Sequence, residues 1–440
     1  MIADKIRNLL SPESCYLYNK KGAFFMLRRT LGLTLCFALT VSFIGCTAAD
    51  AQSANLMQGV KANPSPVGML DSEEAERLAD FGVLLFQKSI EEGKNVLISP
   101  LSVLLALGMT ENGAKGETLA QMEAMFGLSI KEMNESLRAY VNALPKGEKY
   151  KLNAANSIWF KDEESFVVDK GFLQTNADIY GASIYKAPFD GTTLKDINAW
   201  VNKNTDGMIE NILDQIPAGA VMYLVNALAF DAEWETIYKD TQIRDGIFTT
   251  EGGDERNVEM MYSTEGKYLK DENAAGFLKY YADQKYAFVA LLPNEGVSVS
   301  EYAASLTGEK LMQILSSIET ITVNTAMPKF ESEFSTEMGS TLSGMGMRDA
   351  FSPSDADFAG IGTSSNGKLY ISRVLHKTYI AVDEKGTKAG AATVVEMAEG
   401  ASMEHEESKT VILDRPFVYL IIDCETNLPI FMGMLMDTEG

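Results

Sequence analysis

KTYIAVDEKGTKAGAATVVEMAEGASMEHEESKTVILDRPF, residues 377–417, opens as a strand rich in β-branched and aromatic residues. Its centre, from Gly386 to Thr393, is a run of small residues with too little apolar surface to hold a place in a core. The acidic EMAEGASMEHEESK follows, with Gly400 as its one turn residue, and order resumes at TVILDRPF. About twenty structureless residues inside a domain point either to function or to a wrong assignment of elements. Small side chains can be threaded between two existing strands without steric conflict, and Thr387, Ala389, Ala391 and Thr393 would then share one face at period two. A plain flexible surface loop has the same composition, so the residues alone leave both readings open.

Outward from this stretch, NVLISPLSVLLALGMTENGAKGET, residues 95–118, predicts a central helix. Ser99 caps it, and Pro100 takes the first helical position, where its missing N–H costs nothing. The run to Met109 is almost wholly apolar, so this helix is buried on nearly all sides rather than amphipathic. Asn112-Gly113 supplies the stop. Before it, SEEAERLADFGVLLFQKSIEEG predicts a helix capped by Ser72. Strand-like segments dominate downstream: LNAANSIWF, VMYLVNALAF, KYAFVALLP, LYISRVL, KTYIAVDE and PFVYLIIDC. Helical stretches are expected at DINAWVNKNTDGMIENIL and STEMGSTLSGMGM. The sum is one large α+β domain over residues 72–440.

The chain has 440 residues, 46% of them hydrophobic, and a formal charge of −23. Residues 1–45 hold six Lys or Arg and two acids, so the remainder carries 32 − 59 = −27. Such an acidic field repels phosphates, which sets nucleic-acid partners aside. Lys20, Lys21, Arg28 and Arg29 precede an apolar run from Leu31 to Ile44, the pattern of a cleaved export signal over residues 1–45, with Met26 as an alternative start. Phe43-Ile44-Gly45-Cys46 resembles a bacterial lipobox and makes Cys46 a candidate lipidation site; a Cys within an ordinary signal is the alternative. Residues 46–71 have the composition of a flexible tether. The expected destination is the outer membrane as a lipoprotein, periplasmic or surface-exposed, or else the extracellular space. With the signal removed only Cys46 and Cys424 remain, so no disulfide framework is expected. Cys424 reads as a small buried hydrophobe rather than a nucleophile.

Catalytic chemistry is hard to find. His376 and His405 are the two histidines, the first in a buried strand and the second in the acidic segment, neither placed for a triad. HExxH, GxSxG, Walker A and GxGxxG motifs are absent. The expectation is a protein that is not an enzyme, with no catalytic residues, no metal and no cofactor.

From about Leu78 to Met436 the chain resembles the serpins. The segments that carry the resemblance, in family order, are NVLISPLSVLLALGMTENGAKGET, LVNALAFDAEWETIY, MPKFESEF, LSGMGMRDAF, ISRVLHKTYIAVDEKGTKAGAATVVE and RPFVYLIIDCETNLPIFMGML. It implies a fold of three β-sheets with about nine helices and a long exposed reactive loop. It also implies a monomer that traps a serine or cysteine protease as an acyl-enzyme by inserting its cleaved loop into the large sheet, a form of strand addition that releases stored strain. A non-inhibitory binding protein on the same fold is the runner-up.

Carried over by resemblance, the loop hinge comprises Glu384, Lys385, Gly386, Thr387, Ala389, Gly390, Ala391, Ala392 and Thr393. Ser99, Ser102, Asn226 and His376 correspond to a polar cluster where the sheet must part. Trp234 marks where the loop first inserts, and Glu384 and Lys329 correspond to an ion pair there. The usual spacing from Glu384 to the scissile residue reaches Gly400, followed by Ala401. Gly400 offers no side chain, so Met397, Ala398 and Glu399 are further candidates; a backward count from Pro416 reaches His405 instead. No Lys or Arg lies between Ala389 and Glu407, which disfavours a trypsin-like target and favours elastase-like, subtilisin-like or papain-like ones.

Overall fold

Ser99 and Pro100 start the central helix as their chemistry predicts. The Ser99 hydroxyl accepts from the Ser102 N–H, Pro100 is the first helical residue, and every residue of α2 (Pro100–Glu111) is buried. The computed structural model describes residues 53–63, 68–365, 367–387 and 408–439. The signal, Cys46, His405, the hinge positions 389 to 393 and the bait positions 397 to 401 therefore lie outside the described residues.

Nine α-helices and three sheets occur among the described residues. The large sheet runs in the order β1 (Ala54–Asn55), β5 (Ser183–Ala187), β3 (Tyr150–Lys161), β6 (Met222–Glu233), β15 (Gly386–Thr387), β14 (Arg373–Val382) and β12 (Phe330–Glu337). A second sheet has the order β16 (Lys409–Ile412), β11 (Glu319–Pro328), β8 (Glu255–Lys270), β9 (Ala274–Tyr280), β10 (Tyr286–Pro293), β17 (Phe417–Asp423), β18 (Pro429–Leu435) and β2 (Val96–Ile98). β7 (Ile243–Thr249) pairs with β8, and β4 (Val167–Val168) with β13 (Gly362–Thr363) forms the third sheet. Helix α2 packs against β3, β6 and β18, so its apolar surface joins the two large sheets in one core.

The remaining helices are α1 (Ser72–Ser89), α3 (Gly116–Phe126), α4 (Ile130–Ala143), α5 (Lys170–Tyr180), α6 (Gly191–Asn204), α7 (Val299–Ser305), α8 (Gly308–Ser316) and α9 (Gly339–Gly344). The cap of α1 is Asp71 rather than Ser72: its carboxylate accepts from the Glu74 N–H and Glu74 reaches back, a reciprocal box that Ser72 would have had to shift by one residue. The helix expected over residues 196–213 ends at Asn204, because Asp206 and Gly207 both take positive φ. The expected helix at 335–347 shrinks to α9, since β12 runs to Glu337 in register with β14. LYISRVL and KTYIAVDE, read as separate strands, are served by the single strand β14.

Residues 53 to 63, within the stretch read as a tether, are held against the body. β1 pairs with β5, the Ser53 hydroxyl donates to Asp196, and the Asn63 N–H donates to Asp178.

Candidate loop-insertion site

The large sheet has a seam along one side of β6. From Tyr223–Arg373 to Ala229–Tyr379, β6 and β14 pair directly and in parallel. Beyond Ala229 they diverge, and β15 occupies the gap, antiparallel to both: Gly386 pairs with Glu233, and Thr387 with Ala232 and Val382.

A tight turn carries the chain from β14 into the gap. The Asp383 N–H donates to the Gly386 carbonyl at 2.9 Å, while the Asp383 carboxylate accepts from the N–H groups of Lys385 and Gly386. Asp-Glu-Lys-Gly is thus an Asx-stabilised turn, the role short acidic side chains play when they bond their own backbone. Gly386 is required by space: a Cβ there would lie 2.0 Å from the Ala232 carbonyl oxygen. Thr387 is fully buried, and its hydroxyl lies 2.5 Å from that of Tyr281.

Two aromatic residues clamp the turn. The Trp234 indole N–H donates to the Asp383 carbonyl, the Tyr238 N–H to Glu384, and the Trp234 N–H to Lys385, at 2.9, 2.9 and 2.8 Å. Three successive carbonyls are therefore satisfied by one short segment. Lys329 pairs with Glu384 at 3.0 Å and with Glu259 at 3.2 Å. The hydrogen bond from Lys329 holds the Glu384 carboxyl below its usual range.

Lower in the seam a polar row crosses the sheet. The register aligns Asn156 of β3 with Asn226 of β6, and Asn226 with His376 of β14. The Ser99 N–H donates to His376 Nε2 at 3.2 Å, so the ring proton sits on Nδ1 and is donated to Asn226 Oδ1. His376 is fully buried, and burial pushes its pKa down to about 3. Asn226 Nδ2 is buried with no hydrogen-bond partner among the described residues. Ser102 faces Asn156, at 3.5 Å, rather than His376. The Ser99 hydroxyl is committed to the helix cap, so Ser99 meets His376 through its backbone.

Ser99, Asn226 and His376 thus meet, with Ser102 joined through Asn156; Trp234, Lys329 and Glu384 meet at the mouth of the seam. Sequence reasoning missed Asn156, Tyr238 and Tyr281. The alternation of β3 could have found Asn156, which is a polar residue at a core-facing position. Cys424 is half-buried, and burial, with Asp423 beside it, pushes its thiol up to about 12, far from a reactive thiolate.

An α+β body whose large sheet holds the two-residue strand β15 between the diverging ends of β6 and β14 defines the class of fold. The chain belongs to the serpin family, whose profile, described as "Serpin (serine protease inhibitor)", matches residues 76–438. Serpins are in general protease inhibitors rather than enzymes, and they bind target proteases. The leukocyte elastase inhibitor of Xenopus tropicalis is 31% identical over 376 residues, covering 80% of this chain and 96% of its own. The crystal structure of a thermophilic serpin, tengpin, in the native state is 49% identical, covers 88% of this chain and all of its own, and superposes with a TM-score of 0.84. Tengpin in the latent state, 48% identical and covering 84% of this chain and all of its own, superposes less closely, at 0.75.

Proposed function

We propose that this chain is a suicide-type inhibitor. A target protease attacks the bait carbonyl with its Ser or Cys, the amine beyond the bond leaves as a new N-terminus, and the acyl-linked loop inserts into the seam before water can complete hydrolysis. The observation that carries this reading is the two-sided pairing of Gly386 and Thr387 at the head of the seam. Continuing their register would set Ala389 between Phe230 and Ile380, Ala391 between Leu228 and Thr378, and Thr393 between Asn226 and His376. Small methyl groups would then meet Phe230, Ile380 and Leu228. The one hydroxyl would reach the row where Asn226 Nδ2 lacks a partner.

The same register would set Met397 opposite Met222, the first residue of β6. A seam of that length supports a cut just past it, at Gly400–Ala401, with Met397, Ala398 and Glu399 as alternatives, over His405. With no Lys or Arg between Ala389 and Glu407, a trypsin-like pocket has no cationic partner. The targets are elastase-like, subtilisin-like or papain-like. A non-reducing denaturing gel of the chain mixed with such proteases should show a new band heavier than either protein and below their summed mass by the released C-terminal peptide, none with trypsin, and mass spectrometry should place the new N-terminus at about Ala401. Cleavage without any heavy band would overturn the inhibitory reading, and a start at His405 or later would overturn the bait position.

The acidic domain acts after export as a monomer, anchored by lipid on Cys46 in the outer membrane, with the protease as its partner. A fatty-acid probe should label the wild type and miss Cys46→Ser; label on both would remove the anchor.

A further inference from the structure

Beside the clamp lies a second ion pair, less exposed than Lys329–Glu384. Lys279 of β9 is 3% exposed, and its ammonium lies 2.8 Å from a Glu265 carboxylate oxygen on β8. The same ammonium sits 4.5 Å from the centre of the Tyr238 ring and 5.5 Å from that of Trp234. These are the two residues whose N–H groups hold the carbonyls of Asp383, Glu384 and Lys385. Ser263 supports Glu265, donating its hydroxyl at 2.6 Å, and the Ser263 and Thr325 hydroxyls lie 2.9 Å apart. Tyr281 stacks on Trp234 at 4.4 Å and 13°, and its hydroxyl meets Thr387.

A buried ammonium needs a counter-charge and hydrogen bonds, and it prefers the faces of aromatic rings. Lys279 has both kinds of partner, on two other segments of the chain. A lysine placed there only to join β8 and β9 would have no reason to face both rings. An aliphatic residue would fill the space, yet it would leave the ring faces without a fixed electrostatic partner and the partly buried Glu265 without its cation.

The geometry points to Lys279 as a positioning residue for loop insertion, acting through Trp234 and Tyr238 and oriented by Glu265. It fixes the Trp234 indole, whose N–H holds the Asp383 carbonyl, and through both rings it anchors the segment whose backbone N–H groups hold Glu384 and Lys385, which keeps Gly386 and Thr387 in register with β6 and β14 at the moment the loop is cut. Cleavage itself takes place at the bait bond, further along the chain, and does not depend on it. The inference rests on the inhibitory reading for its consequence, though not for its geometry.

Two measurements on the full chain test it, with Lys279→Met, Lys279→Arg and Glu265→Gln beside the wild type. Hydrogen exchange should show the amides of Trp234 and Tyr238 losing protection about tenfold or more in Lys279→Met, while the amides of β14 near His376 keep theirs. In a protease titration the moles of inhibitor consumed per mole of protease trapped should rise several-fold in Lys279→Met at an unchanged rate of initial attack. Lys279→Arg, which keeps a cation over both rings, should restore most of both, and Glu265→Gln should shift both in the same direction by less. A merely structural role would lower protection throughout the large sheet and leave the partition of trapped against cleaved inhibitor alone; that pattern, or wild-type values in both variants that remove the pair, overturns the inference. Should Lys279→Met fail to fold, Glu265→Gln carries the same two tests. A wild type that traps nothing would sink the inhibitory reading, while selective loss of protection in the variants would still establish what Lys279 holds.

Discussion

The two sides of β6 are built differently. Toward β3 the pairing is antiparallel and unbroken from Tyr150–Ala232 to Phe160–Met222. Toward β14 it is parallel, shorter, crossed by a buried polar row, and already split at one end by β15. Parallel ladders are slightly less stable per residue than antiparallel ones. A strand that continued β15 would exchange one parallel ladder for two antiparallel ones, each new net hydrogen bond worth roughly 0.5–1.5 kcal/mol. One side of the strand is a continuous antiparallel ladder, and the proposed function requires the other to be replaced.

The sharpest way to break that contrast is to block the head of the seam. Thr387→Arg would bury a guanidinium at a fully buried position, and Gly386→Ala would drive a methyl group into the Ala232 carbonyl. Each should lower the trapped fraction of protease about tenfold or more while the loop is still cut; complex formation at the wild-type stoichiometry would show that β15 is not where insertion begins. A smaller effect is expected lower down. Thr393→Val keeps the shape and removes the hydroxyl destined for Asn226 and His376, so the loop-cleaved form should lose about 1–3 kcal/mol while the intact form is unchanged. Equal loss in both forms would place Thr393 elsewhere.

The closed seam should also be sensitive to acid. His376 is held neutral by burial, with its pKa at about 3 against 6.5 for the free side chain. The unfolded chain takes up a proton below pH 6.5 and the folded one does not, so this group's contribution is complete above pH 6.5 and declines as pH falls toward 3. Between pH 6.5 and about 5, where few carboxylates titrate, the wild type should lose about 1.4 kcal/mol per pH unit that His376→Gln does not lose. Parallel urea-midpoint profiles for the two proteins would contradict the burial of a neutral imidazole.

The smallest effect belongs to Lys329 and Glu384, which are partly exposed. Glu384→Gln should cost about 0–1 kcal/mol, less at high salt. Because the Glu384 carboxyl is held below its usual range, that contribution is present above the ordinary carboxylate pKa and fades as pH falls through the lowered one. A loss of several kcal/mol would make this pair, rather than the strand pairing, the main lock at the mouth.

Much of this contrast was legible in the sequence. The Ser99-Pro100 start and the apolar run behind it located α2, and of the small residues after Glu384, Gly386 and Thr387 lie between β6 and β14. What stayed hidden depended on partners distant in the chain. Asn156 is one Asn in an ordinary strand until β3 and β6 are placed in register. Lys279 and Glu265 stand in no motif, and only the packing of Tyr238 and Trp234 over the Lys279 ammonium shows that this lysine is buried, with Glu265 partly so. The docking of residues 53 to 63 is written in backbone pairing with β5, which composition does not report.

The most direct test of a seam built for replacement is the melting temperature of the intact chain beside that of the chain cut within its loop by a protease it does not trap. Insertion of the freed loop should raise the melting temperature by tens of degrees, and equal values for the cut and intact forms would contradict the account.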